Sequence, residues 1–490
     1  MPDDERPGGA RRNDGDFGPA ADEAFFRVVS PATEQVVAHV PRATASDVDR
    51  AVDAARGAFD HGPWPRMPLR ERVAVLRRLS AALHCDVDDI AELVTRQNGT
   101  PYEFSRMAQA YAPLMVLDYY LDLAETFPFE EIRPGMLGPT HVRGVPVGVV
   151  AAITAWNMPL YQALCKLAPA LLAGCTAVLK PSPQTPLDAL LLARAAAEAG
   201  LPEGVLRVVV ADSQVSAYLA GHPGLDKVSF TGSVQAGRQV MAACSSHLTR
   251  VSLELGGKSA AVILDDADLD AVVDQVAALA YMNSGQSCVA QTRVLVPRAQ
   301  YADVAERLVH AVSRMAVGDP MDPATRIGPL VSADRRARVE EYLALGAAEG
   351  ARLAVGGERP ADLPRGWYLR PALFTEVTND MRIAQEEIFG PVACLIGYDD
   401  EDDAVRIADA SPYGLAGTVW TADVERGLRV ARRIRAGSYS VNMFNMEMGA
   451  PFGGFKHSGI GRELGPEGLR EYVEYQTIHT PALAEPATGP

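Results

Sequence analysis

The sequence predicts an α/β protein with two parallel-sheet domains and a small additional β element. Three observations carry this. From Val145 onward short apolar runs alternate with amphipathic ones, which is the texture of repeated βαβ units. The pattern occurs twice, on either side of the glycine pair in LELGGKS. A chain of 490 residues is also too long for one ordinary hydrophobic core.

In order along the chain, residues 46–58 and 69–96 show helical periodicity, with apolar positions three and four apart. GVVAAI then reads as a strand, PLYQALCKLAPALLAG as a helix and TAVLK as a strand. PLDALLLARAAAEAG is a helix, with Pro186 near its first turn and Gly200 at its end. VLRVVV, a helix near Gln214–Ala220, DKVSF and a helix from Ser233 complete the first series. The second includes the helix Leu269–Met282, TRVLVP, the helix Tyr301–Met315, and the strands PALF, ACLIGY, AGTVWT and GSYSVN. Two pieces fit neither series. FEEIRPGMLGPTHVRG reads as a hairpin turning at Pro134-Gly135, and EYVEYQTIHT alternates like an edge strand that needs a partner.

Bulk properties narrow the function. A net charge of −16 argues against a nucleic-acid partner or an anionic membrane surface. The uncharged stretch Val145–Cys165 is interrupted by Pro146, Gly148, Asn157, Pro159 and Gln162, so a strand buried on both faces explains it better than a membrane span. Six scattered cysteines, with no CxxC pair or Cys/His cluster, imply free thiols in a reducing compartment and no metal site; the expectation is a cytoplasmic protein. Residues 1–22, acidic at the start and without an apolar core, read as a disordered tail rather than an export signal.

Several short stretches carry chemistry. VSFTGSVQAG supplies a strand, Gly232 for the turn and Ser233 to cap the next helix, an arrangement that presents backbone N–H groups to phosphate. Alone it is an ordinary β-to-α turn, and it matches neither a P-loop nor GxGxxG. Lys180 in VLKPSPQTP ends a neighbouring strand and reaches the same crevice. GIGREL, which follows no strand, is discarded as a dinucleotide fingerprint. Glu254 in LELGGKS, alone, is a carboxylate beside a hinge, and Asn157 in TAWNMPL, alone, is a helix cap. In NSGQSCVA, Cys288 stands in a polar connection between two buried elements, where a cysteine is either an accident or a nucleophile.

Taken together, TAWNMPL, VLKPSPQTP, FTGSVQAG, LELGGKS, GQSCVA, EEIFGPV and PFGGFKHSGIGRELG closely resemble the NAD(P)-dependent aldehyde dehydrogenase superfamily. The resemblance runs in order from about Phe26 to Ile478. It implies two Rossmann-like domains, one for the cofactor (23–126 and 147–254) and one catalytic (255–455). Segments 127–146 and 456–490 would serve oligomerisation in a homodimer or homotetramer. The resemblance further implies Cys288 as nucleophile, Glu254 as general base, and the Asn157 amide with the Cys288 backbone N–H as oxyanion donors. Lys166 and Glu463 would be a polar pair near the base. Lys180 and Ser233 would hold the adenosine ribose and pyrophosphate, and Glu387 the nicotinamide ribose, with Phe389 beside the ring. Ile153, Thr154, Trp156, Ser182, Pro183, Gly232, Leu255 and Gly256 would complete the cofactor groove.

The chemistry fits these residue types. A bare carbonyl offers no hydride leaving group, whereas thiolate addition creates a tetrahedral carbon that does. The oxygen charge is met by positioned donors, and the thioester formed is hydrolysed by water that a base deprotonates. Pro183 departs from the pattern: NAD-preferring members carry glutamate there, so NAD is expected with NADP possible. For the aldehyde, Met158, Gln162 and Cys165 share a helical face by i, i+4, i+7 spacing. Alignment sets Ser287, Val289, Phe444, Met446, Met448 and Phe452 opposite. No arginine is evident to hold a second carboxylate, so a neutral, hydrophobic aldehyde is expected over a semialdehyde acid. A coenzyme A-acylating member, expected to lack the base, and a catalytically retired structural protein, expected to lose Cys288 or Glu254, are the alternatives.

Overall fold

A computed structural model describes residues 24–481. The disordered-tail expectation for residues 1–22 lies outside them. Four sheets organise the described residues. A six-stranded sheet takes Gly459–Ile460, Arg250–Glu254, Lys227–Thr231, Val149–Ile153, Thr176–Lys180 and Leu206–Val208 in that order, all parallel except the first. A seven-stranded sheet runs Arg352–Val355, Ala372–Thr375, Val392–Tyr398, Arg293–Pro297, Ala260–Ile263, Gly417–Trp420 and Ser440–Val441. Only Arg352–Val355 is antiparallel in it.

Each large sheet is buried on both faces, and the strand period of two divides the core accordingly. Val150 and Ala152 face a helical layer that includes Leu76, Leu117, Leu164 and Leu192. Val149, Ala151 and Ile153 face the opposite layer, with Val48, Val52, Leu219 and Val240. The helix Pro159–Ala173 has every residue buried and ends on left-handed Gly174 (φ 99°). Ala260 and Val262 against Ala261 and Ile263 divide the second sheet in the same way.

The chain leaves the six-stranded sheet at Glu254 and enters the seven-stranded one at Ala260. Parallel register aligns the carboxyl ends of the first sheet's strands: Ile153 pairs with both Lys180 and Phe230, and Thr231 with Glu254. That shared edge faces the crevice where open parallel sheets bind ligands.

Some expectations need correction. The periodic stretch 69–96 is two helices, Leu69–Cys85 and Val87–Asn98, broken at Asp86, whose backbone leaves the helical region (φ −103°, ψ 11°). Over its described residues, 456–481, the segment expected to serve oligomerisation contributes strands to two sheets. Gly459–Ile460, inside the GIGREL discarded as a fingerprint, pairs with Leu253 and Glu254 and closes the edge of the six-stranded sheet. Only Val473–His479 joins the hairpin, pairing with Thr140–Pro146, which in turn pairs with Glu130–Arg133. The tail strand's partner is thus in its own chain, and the three-stranded sheet keeps two open edges. A further hairpin, Phe25–Val29 with Val36–Pro41, was not anticipated. Among the described residues no helix is long and apolar enough to cross a membrane.

Candidate active site

The segment bearing Cys288 is built on strained backbone. After the helix Leu269–Ala280, Asn283 (φ 51°) and Ser284 (φ 57°) are left-handed, and Gly285 (φ 71°) follows them. Left-handed non-glycine residues persist only where their surroundings hold them. Thr100 Oγ1 donates to Asn283 Oδ1 (2.7 Å), Asn283 Nδ2 donates to the Asn157 carbonyl (3.2 Å), and the Gly328 N–H donates to Ser284 Oγ (2.9 Å). At Gly285 a Cβ would stand 2.0 Å from the Gly390 carbonyl, which leaves room for glycine alone. This tight reversal lifts Cys288 to the cleft. Among the cysteines Cys165, Cys175, Cys244 and Cys394 are buried and Cys85 is exposed; Cys288 alone is half-buried.

A cavity between the two large sheets collects Ala155, Trp156, Asn157, Gln162, Thr231, Gly232, Ser233, Leu255, Gly256, Cys288, Arg335, Glu387 and Phe389. Burial, with the charges of Glu387 and Glu254 adding to it, pushes the Cys288 thiol up to about 12. Asn157 is 4% exposed; its Nδ2 donates to the Gln286 carbonyl (3.1 Å). Glu254 ends its strand with neither carboxylate oxygen hydrogen-bonded. Burial, reinforced by the charge of Glu463, raises its pKa well above the usual carboxylate range. The Lys166 ammonium, fully buried, donates to Thr231 Oγ1 (2.7 Å) and Glu463 Oε1 (2.5 Å).

A second, elongated groove runs from the same strand ends along the six-stranded sheet. Ile153, Thr154, Lys180, Ser182 and Pro183 line it with Phe230, Val240 and several alanines. Burial lowers the Lys180 ammonium to about 8, with Asp212 acting the other way. Ser233 caps the helix Val234–Ser245 by accepting from the Ala236 N–H (3.3 Å), and this helix lies along the groove. In the cavity that holds Cys288, Glu387 accepts from the Gly257 N–H (3.0 Å), and burial raises its carboxyl to about 7. A Cβ on Gly256 would lie 2.3 Å from Glu387 Oε2, so the backbone here is a cradle that a side chain would fill. Phe389, left-handed at φ 60°, meets Trp156 edge to face at 5.3 Å. Thr154 Oγ1 is buried without a partner. An apolar groove with a lysine in its wall and a helix along it, and next to it a cavity that holds a helix N-cap and a buried carboxylate, suit a dinucleotide.

Of the expected aldehyde-contacting residues, Val289 forms a small buried cluster with Leu415 and Ala416, against which Phe444, Met446, Phe452 and Cys288 itself pack. Met158 is half-buried and packs with Met446, Met448 and Phe452 on the edge of the main core. Ser287 is buried with its hydroxyl unpartnered. Cys165 is 1% exposed and packs into the core rather than the cavity around Cys288, because its helix is buried on every face and helical spacing does not single out an open one. Gln162 reaches the cavity, yet both ends of its amide are engaged, with the Ala155 N–H and with Asn157. Sequence reasoning missed Arg335, whose guanidinium lies 5.9 Å from the Trp156 ring centre in the cavity wall. No local signal marks it beyond its place in the first turn of a helix capped by Ser332.

Fold and cleft together describe an α/β oxidoreductase with a thiol beside a nucleotide-shaped groove. The model of the aldehyde dehydrogenase family matches residues 17–478. Geranial dehydrogenase of Castellaniella defragrans is 45% identical over 453 residues, covering 92% of this chain and 94% of its own. Betaine aldehyde dehydrogenase of Bacillus subtilis is 38% identical over 471 residues, covering 95% and 96%. The Mycobacterium tuberculosis aldehyde dehydrogenase complexed with NAD+ superposes with a TM-score of 0.93 at 46% identity, over 94% of this chain and 95% of that one. A cysteine-to-alanine variant of aldehyde dehydrogenase C from Pseudomonas syringae, complexed with NAD+ and octanal, gives 0.90 at 42% identity, over 93% of each. The chain belongs to the aldehyde dehydrogenase family. It is an NAD(P)-dependent enzyme that oxidises an aldehyde to the carboxylic acid.

Proposed function

We propose that the chain oxidises neutral, hydrophobic aldehydes with NAD+, using Cys288 as nucleophile and Glu254 as general base. The observation that carries this reading is one cleft lined by the half-buried Cys288 and the buried amide of Asn157, with the unpaired carboxyl of Glu254 close enough for its charge to act on the thiol. Cys288 shares a small apolar cluster with Val289, Phe444, Met446 and Phe452, which supports an uncharged substrate. The octanal bound by the Pseudomonas syringae relative and the geranial that names the Castellaniella relative point the same way.

The thiol gives its proton to solvent water and its sulfur bonds to the aldehyde carbon, while the carbonyl π pair moves to the oxygen as an alkoxide. Asn157 Nδ2 and the Cys288 backbone N–H meet that charge; donors of this kind are worth about 10²–10³ in rate. A nicotinamide held beside Glu387 and Phe389 would supply hydride-acceptor chemistry; with the hydride gone from this carbon, a thioester on Cys288 remains. Glu254 then takes a proton from water, whose oxygen attacks the thioester; the carbon–sulfur bond breaks and the acid departs. Burial, which raises the pKa of Glu254 above the usual carboxylate range, makes it a stronger base than an exposed glutamate. Lys166 and Glu463 hold charge beside it.

Lys180, Ser182, Pro183, Ile153 and Thr154 take the adenosine half of the cofactor, with Gly232 and Ser233 at the pyrophosphate. Glu387, with Phe389, Trp156, Leu255 and Gly256 around it, takes the nicotinamide half. The domain division follows the sheets: a cofactor domain on the six-stranded sheet, a catalytic one on the seven-stranded sheet, and a three-stranded oligomerisation sheet. Its exposed Ile132, Tyr475 and Ile478 suit a homodimer or homotetramer, working in the cytoplasm.

The test is NAD(P)H formation over an aldehyde panel, with and without coenzyme A. Octanal and other neutral aldehydes should be turned over to the free acid, faster than succinic semialdehyde and without coenzyme A. A requirement for coenzyme A, or a preference for the semialdehyde, contradicts the reading.

A further inference from the structure

Gln162 forms an ordered relay of hydrogen bonds with Asn157. The backbone N–H of Ala155 donates to Gln162 Oε1 at 2.8 Å. A backbone N–H donates only, so the atom facing it must be the amide oxygen, and Nε2 is left facing the other way. There Gln162 Nε2 donates to Asn157 Oδ1 at 2.9 Å. Asn157 Nδ2 then points to the Gln286 carbonyl, donating at 3.1 Å, with its second N–H uncommitted. Each bond fixes the polarity of the next. The relay starts on rigid backbone at the end of the buried strand Val149–Ile153 and finishes two residues before Cys288. Gln162 is 7% exposed and Asn157 4%, so water does not readily replace either partner.

We propose that Gln162 is a positioning residue that fixes which end of the Asn157 amide meets the substrate oxygen. An asparagine amide has nearly the same shape in both orientations, but only one presents a donor. Turned over, Asn157 would offer Oδ1 to the alkoxide and repel it. The oxygen of Asn157 is held by Gln162 Nε2, so the flip requires breaking that bond and opposing two amide nitrogens. The proposal rests on the reading of Asn157 as an oxyanion donor and adds to it a role for a side chain that would otherwise count as substrate lining.

Two substitutions separate the possibilities, with octanal and NAD+ as the assay pair. Gln162→Met keeps the size and removes the donor. Gln162→Glu keeps the shape, but as a carboxylate it accepts only and forces Asn157 to turn its nitrogen inward, whereas its protonated form again donates. The single-turnover rate of NADH formation should fall about ten-fold in Gln162→Met. In Gln162→Glu it should fall about a hundred-fold at pH 8, the order expected for losing one oxyanion donor. The ratio of Gln162→Glu to wild type should rise as pH falls towards 6, while the ratio for Gln162→Met stays flat. KM for octanal should change little in either. Asn157→Ala distinguishes the two levels of the argument. Normal turnover in Asn157→Ala overturns the oxyanion reading. A large loss there, with wild-type single-turnover rates in both Gln162 variants or effects confined to KM, overturns the positioning role alone.

Discussion

Gly453 stands against the carboxyl of Glu254 so closely that a methyl group built on it would lie 2.7 Å from Oε1. Its φ of +155° is also one that other residues rarely adopt. The glycine therefore leaves the space in which a buried, unpaired carboxyl sits. Gly453→Ala should displace Glu254 and slow hydrolysis of the thioester more than its formation. Stopped-flow traces are expected to keep the first burst of NADH and lose at least about ten-fold in the steady state. A steady-state rate equal to wild type would show that this contact does not place the base.

Cofactor choice turns on Pro183, in the groove beside Lys180 and Ser182. Proline offers neither a carboxylate to grip a ribose 2′-hydroxyl nor an N–H to replace it. Pro183→Glu should lower kcat/KM for NADP+ relative to NAD+ by about one to two decades, the size of one charge-assisted hydrogen bond. Wild-type enzyme that already rejects NADP+ by several decades, with no change in the variant, would assign the choice to another residue.

Stability should carry the signature of a buried acid far from the chemistry. Asp188 is 1% exposed, accepts from Gln97 Nε2 at 2.7 Å through Oδ1, and has no partner on Oδ2. Burial raises its carboxyl to about 7, against about 4 in an unfolded chain. Between those values the folded protein holds a proton that the unfolded chain has released. Stability therefore falls as pH rises from about 4 to about 7 and stays lower above. Asp188→Asn keeps the acceptor for Gln97 and cannot ionise. Its Tm should exceed wild type by about 2 °C or more at pH 8, the gain shrinking as pH falls towards 4. An equal difference at both ends of the range would contradict this.

The three-stranded sheet predicts assembly. Ile132 and Ile478 both pair with His141 in adjacent strands, and both are exposed, at 64% and 40%. Apolar side chains on a small sheet with open edges need covering. Light scattering should show a dimer or tetramer, and Ile132→Asp with Ile478→Asp should shift it towards monomer. A wild-type protein that runs as a monomer would sink the proposal.

Much of this was legible in the sequence, for definite physical reasons. Runs such as VVAAI and TAVLK bury both faces, and the glycines and prolines that bound them fix where strands end. Strand ends are where Lys180, Thr231 and Glu254 stand. What stayed hidden depends on three-dimensional neighbours. Gln162 reads as one position of an amphipathic face until its helix proves buried all round. Arg335 reaches Trp156 from a helix whose local sequence carries no motif. The wide-wound turn Ser105–Tyr111 has no periodic signature either; it borders Thr100, whose hydroxyl holds Asn283 in its left-handed conformation. The hairpin Phe25–Pro41, by contrast, was visible in the β-branched runs FFRVV and VVAHV and was overlooked.

The central claim, that Cys288 forms the thioester and Glu254 hydrolyses it, is tested most directly by acid-quenched Glu254→Gln and mass spectrometry. After mixing with octanal and NAD+, the variant should release one NADH per active site and stall. An octanoyl group should then be found on the peptide bearing Cys288 and on no other cysteine. Full steady-state turnover by Glu254→Gln, or the acyl group on a different cysteine, would contradict it.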